Sequence, residues 1–205
     1  MTFFPDPPEP FEPHEPDNYP PLPVWLSAPL DMIPGVVAVE LTLGRSEAAA
    51  VFLSGIRAFP SGLDMILSIR CRSPAPVGEL SRNFFEHRPE AGATDAEWEA
   101  ARLKWGFEFA DGRRVTNVDP TRQEQFLDPW QPSPAIDSPV LSGVGGGGGD
   151  RSWDGTYWLW PLPPPGRLRV ACQWLAQGVA ETVQDLDGQP FLDAAERSRP
   201  IWPLA

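Results

Sequence analysis

SGLDMILSIRCRS, residues 61–73, places Leu63, Met65, Leu67, Ile69 and Cys71 on one face of an extended chain, with Asp64, Ser68, Arg70 and Arg72 on the other. A period of two with one apolar face is the signature of a half-buried strand. The same pattern recurs in both directions. Upstream, GVVAVELTLG (35–44) puts Val37, Val39, Leu41 and Leu43 on one face. Between the two, AAAVFLSGIRAFPSG reads as a strand of ambiguous parity, and Ser61-Gly62 is expected to form a hairpin turn. Downstream, KWGFEFADGRRVTN aligns Trp105, Phe107 and Phe109 before a turn at Asp111-Gly112. GRLRVACQWL then points Leu168, Val170, Cys172 and Trp174 inward, with Arg167, Arg169 and Gln173 outward, and GVAETVQDLDG returns beside it.

Two short helices are expected, one after a Thr94/Glu97 capping box and one with Pro190 at its start. Neither is long enough to organise a domain. With 27 prolines among 205 residues, a helical bundle is excluded, and nine tryptophans with 41% hydrophobic residues exclude wholesale disorder. The expectation is a mostly β chain: a single antiparallel β-sandwich, immunoglobulin-like or related, over residues 24–205. Residues 118–139 and 143–150 are expected to be its long loops.

Residues 1–23 hold nine prolines and five acidic residues and read as a disordered acidic tail. Phe3, Phe4, Phe11 and Tyr19 give that tail more aromatic character than solubility requires. The net charge is −12, so nucleic acid is not an expected partner. Neither a signal peptide nor a membrane-length apolar run is found, which points to the cytoplasm, with Cys71 and Cys172 as reduced thiols.

Composition departs most from a plain sandwich in VLSGVGGGGGDRSWDGTYWLWPLPPPG, residues 140–166. Gly143, Gly145 and Gly148 match a dinucleotide-binding spacing, but a glycine run does so trivially and no helix follows. Asp150, Ser152 and Asp154 have the spacing of the first half of a calcium loop, so calcium is the one cofactor considered. The twelfth position is Pro161 instead of a bidentate glutamate. Trp153, Trp158 and Trp160 are either an exposed aromatic platform or core, and burial is the default for tryptophan. Arg57, Arg70, Arg72, Arg167 and Arg169 alternate with apolar residues and suggest a basic stripe on an outer sheet face.

Catalytic chemistry finds little footing. His14 and His87 are the two histidines, no G-x-S-x-G elbow is present, and no residue is assigned a catalytic role. A carboxylate pair among Glu108, Asp150, Asp154 and Glu181 would require those residues to meet in space.

The glycine run Gly145–Gly149, the stretch Trp158–Gly166 and the terminal Trp202-Pro203 together resemble a group of uncharacterised actinobacterial proteins. The resemblance covers most of residues 36–204. It implies a family-specific β domain and transfers no functional residue. The functional expectation is a non-enzymatic module binding a protein or peptide partner, with a carbohydrate-binding or calcium-dependent module and a carboxylate hydrolase as alternatives.

Overall fold

The computed structural model describes residues 22–75, 80, 97, 101–119 and 136–202. The acidic tail, except for Leu22 and Pro23, most of the 118–139 loop and the Thr94 cap lie outside the described residues.

The alternating stretch at residue 61 forms the centre of the larger sheet. β4 (Ala49–Phe59) and β5 (Gly62–Cys71) pair along nearly their whole length, turning at Pro60-Ser61, one residue earlier than the sequence suggests. β2 (Gly35–Val37) and β3 (Leu41–Arg45) both pair with β4 on its other side, so GVVAVELTLG is one strand interrupted at Ala38–Glu40. β8 (Val140–Gly148) and β9 (Ser152–Trp160) complete six strands in the order β2/β3-β4-β5-β9-β8. The second sheet has four: β11 (Val179–Asp187), β10 (Arg167–Trp174), β6 (Lys104–Glu108) and β7 (Arg114–Thr116). Every pairing is antiparallel. The inner faces of both sheets share one core containing Val51, Leu67 and Tyr157 from the first and Trp105, Val170 and Trp174 from the second. This is the expected antiparallel β-sandwich.

The unclear parity of β4 has a physical cause. Leu53 pairs with Leu67 and Gly55 with Ile66, so Ser54 is an extra residue in a β-bulge. Before it, Val51 and Leu53 face the core; after it, Ile56 and Ala58 do. A single alternation cannot describe such a strand.

The glycine run, expected as a loop over 143–150, is instead mostly strand: β8 carries it through Gly148 as the edge of the larger sheet. A Cβ at Gly146 would lie 2.7 Å from the Asp154 carbonyl oxygen, and one at Gly148 2.0 Å from that of Ser152. Glycine therefore allows β8 to approach β9 closely.

Smaller elements close the ends. α1 (Gln189–Glu196), with Pro190 in its first turn, buries Phe191, Ala194 and Ala195. It lies so close to β2 that a Cβ on Gly35 would overlap the Ala194 carbonyl oxygen. β1 (Met32–Ile33) pairs with β12 (Arg199–Pro200), and Val24–Leu26 returns over the larger sheet. Among the described residues, no helix is long and apolar enough to cross a membrane.

Candidate binding groove

The four-stranded sheet presents its outer face as three rows of side chains running across the strands. In the first, Arg114 lies opposite Glu108, Glu108 opposite Arg169, and Arg169 opposite Asp185. In the second, Thr116, Gly106, Ala171 and Val183 stand in line. The third holds Lys104, Gln173 and Glu181. Small residues thus make a floor between two polar walls, in a groove of about 420 Å³. Strand geometry sets its dimensions: the walls stand four residues apart, about 13 Å, and the floor crosses four strands, about 14 Å.

Each wall is built differently. Glu108 accepts hydrogen bonds from both Arg114 and Arg169, the latter at 3.0 Å, and Arg169 also reaches Asp185 at 3.2 Å. Arg167 flanks the same Asp185 at 3.7 Å. Charge on this wall therefore alternates and is internally paired. On the facing wall, the Gln173 amide and the Glu181 carboxylate have no partner among the described residues. Below the floor, buried Asn117 fixes the β6–β7 hairpin, donating to the Leu103 carbonyl at 2.9 Å and accepting the Trp105 N–H at 2.8 Å. Glycine at 106 is imposed by the same hairpin, because a Cβ there would come 2.2 Å from the Val115 carbonyl oxygen.

The structure redistributes the residues singled out in the sequence. Trp158 is 1% exposed, donates its indole N–H to the Val24 carbonyl at 3.0 Å and stacks edge-on against Phe59. Trp160 packs with Trp25, Leu26 and Val140, and Trp153 leans on the main core. Both faces of β9 are thus covered, and the aromatic platform is absent among these residues. The arginines do not form one stripe. Arg57 and Arg70 lie on the outer face of the larger sheet and Arg167 and Arg169 on that of the smaller, while Arg72 donates to the Glu47 carbonyl. Arg57 pairs with Asp64 at 2.6 Å.

The calcium spacing is likewise taken up by other contacts. Ser152 and Asp154 lie in β9 instead of a tight turn, and Asp150 sits at the hairpin tip. Arg70 grips both oxygens of Asp154 at 2.9 and 3.1 Å, and Ser68 donates to one of them at 2.5 Å. Among the described residues, no group of three or more His, Cys, Asp or Glu side chains is placed to hold a metal. Partial burial opposes the Asp154 carboxylate, but the hydrogen bonds from Arg70 and Ser68 and the Arg70 charge outweigh it, so its pKa falls below the ordinary aspartate value. At Asp64 burial prevails over Arg57 and the pKa rises.

The four carboxylates considered for hydrolysis do not converge: Asp150 and Asp154 belong to the larger sheet, Glu108 and Glu181 to the smaller. Both cysteines are free, and burial pushes the Cys172 thiol up to about 12, which makes it unreactive.

The groove was missed in the sequence. Its trace is a pair of outward small residues, each flanked at two residues' distance by polar ones: Lys104-x-Gly106-x-Glu108 and Arg169-x-Ala171-x-Gln173. Compared with family models, curated proteins and solved structures, the chain matches none.

Proposed function

We propose that the protein is a non-enzymatic binding module and that the groove holds a short extended segment of a protein partner. The supporting observation is the floor of Thr116, Gly106, Ala171 and Val183 between two polar walls. A backbone fits where side chains are small, and a length of about 14 Å suits roughly four extended residues. Glu181 and Gln173, without partners among the described residues, favour a segment that brings a cationic side chain and backbone N–H groups. Sugar rings are a poorer fit, since Trp105 and Phe107 beneath the groove point into the core.

The cytoplasmic setting and the actinobacterial resemblance belong to this proposal too, the latter implying a shared β domain without assigning a residue. The test is selection from a library of extended peptides, followed by affinity measurement against Ala171→Trp and Glu181→Lys. The first substitution fills the floor and the second reverses the charge at position 181; both positions face outward and leave the core intact. Loss of binding in both supports the groove, and unchanged affinity in both overturns it.

A further inference from the structure

The break between β2 and β3 opens a second cavity, on the larger sheet and so separate from the groove of the smaller one. Val37 is the last residue of β2 to pair with β4 and Leu41 the first of β3, so Ala38–Glu40 leave the ladder opposite Ser54 and Gly55. The resulting space is about 650 Å³. Val36, Val39 and Ile66 line its apolar side, and Ser54, Glu40 and Arg57 its polar side. That is room for a small molecule.

Gly55 keeps the space open. It has no positive φ, and a Cβ there would meet only the Ile66 side chain, at an ordinary 3.6 Å. At Gly62, by contrast, a Cβ would come 2.3 Å from the Leu159 carbonyl oxygen. Glycine is thus required at 62 by the chain itself, whereas at 55 neither the backbone nor crowding requires it.

Hydrogen bonding gives the polar side a fixed sense. Arg70 holds Asp154 at 2.9 and 3.1 Å, and Asp154 takes the single hydroxyl proton of Ser68 at 2.5 Å. Ser68 then has only lone pairs left for Ser54, whose oxygen lies 2.8 Å away, so the Ser54 hydroxyl donates its own proton to Ser68. What Ser54 offers the cavity is therefore an acceptor, strengthened by the chain of hydrogen bonds behind it. Charge agrees with this. Arg57 is neutralised by Asp64 at 2.6 Å, whereas Glu40 has no ion-pair or hydrogen-bond partner among the described residues.

An acceptor, an unpaired carboxylate and an apolar wall together select a cation that donates hydrogen bonds. We propose that this cavity binds a small primary amine, its ammonium group between Ser54 and Glu40 and its apolar body against Val36, Val39 and Ile66. A carboxylate or phosphate would meet Glu40 and the Ser54 lone pairs, and a sugar would set its hydroxyls on the apolar wall. The site does not depend on the groove of the smaller sheet.

Titration of the isotope-labelled full chain with hexylamine, followed through the amide resonances of Val39, Glu40 and Gly55, tests the proposal. Saturable shifts with a Kd on the order of 1 mM are expected. Two companion ligands keep the apolar body and change the head. Hexyltrimethylammonium retains the charge but has no N–H, and should bind about tenfold more weakly. Hexanoate carries the opposite charge and should not saturate. Ser54→Ala should weaken hexylamine about tenfold and leave hexyltrimethylammonium unchanged, since only the amine gives Ser54 a proton. Glu40→Gln should weaken both by about threefold. Gly55→Val fills the space with a residue suited to a strand and should abolish binding, with far-ultraviolet circular dichroism checking the fold. Absence of any saturable shift with hexylamine up to about 20 mM overturns the proposal. So does hexanoate binding equally well, or an affinity for hexylamine unchanged by both Ser54→Ala and Gly55→Val.

Discussion

The outer faces of the two sheets use the same chemistry, arginine against carboxylate, yet the row beside Arg70 is covered and the row beside Arg169 is open. On the smaller sheet Arg169 stands directly opposite Glu108 and Asp185, and Arg114 opposite Glu108, so both stay within their own row, while Arg167 reaches from the far side to Asp185. The next row, Gly106 and Ala171, is left uncovered. On the larger sheet Arg70 stands opposite Ser152 but bonds to Asp154, the residue opposite Ser68. This diagonal reach sweeps the guanidinium across the neighbouring row, over the Phe52 ring at 5.5 Å, and leaves Ser68 fully buried. Pairing geometry, more than composition, decides whether the row beside an arginine is covered.

The largest effect expected from breaking that contrast is in the open row. Gly106→Ala forces a methyl group against the β7 backbone and should cost about 3 kcal/mol in urea unfolding. An alanine tolerated at under about 0.5 kcal/mol would mean that β7 can move aside and that the floor is not rigid.

Next comes the covered row. Asp154→Asn removes the charge that Arg70 and the buried Ser68 both use; the hydrogen bond to Ser68 sets the cost at about 1–2 kcal/mol at pH 7. The ion pair itself adds little, because both side chains are 45% exposed. The folded pKa of Asp154 lies below its unfolded value, so the stability it contributes is present in full above about pH 4 and fades as the pH falls through the lower, folded value. The deficit of the variant should therefore narrow below about pH 4 in acid titrations of stability. A deficit independent of pH would show that packing, not charge, covers this row.

A smaller change, about 0.5–1 kcal/mol, is expected for Glu108→Gln beside the open row, because Arg169 keeps Asp185. A loss as large as that of Asp154→Asn would erase the distinction between direct and diagonal pairing. Smallest of all is Gly147→Ala at the free edge, within about 0.5 kcal/mol of wild type, since its Cβ enters open space.

Legibility in the sequence followed the same division between local and non-local information. β5, β10 and the β6–β7 hairpin were readable because their alternation is unbroken and their turns carry glycine or proline. β4 was not, since the bulge at Ser54 reverses its phase. The glycine run was misread as a loop because glycine carries no alternation to read, and only its pairing with β9 makes it a strand. The tryptophans of β9 could be sorted into odd and even faces, but not into covered and uncovered ones, since cover comes from Val24–Leu26, more than a hundred residues away. The groove depends on register between β6 and β10, which no single segment contains.

Ser54 has one more consequence. The β4 bulge and the gap at Ala38–Glu40 between β2 and β3 face each other across the sheet, so they are one defect seen from two rows. In crystallographic terms it is a dislocation: an extra half-row ends inside an ordered lattice, and the space lined by Val36, Val39, Gly55 and Ile66 is its core. A dislocation moves by passing its misfit to the next site. Here every such step would turn Leu53 or Ile56 out of the core, so the defect is pinned where it lies.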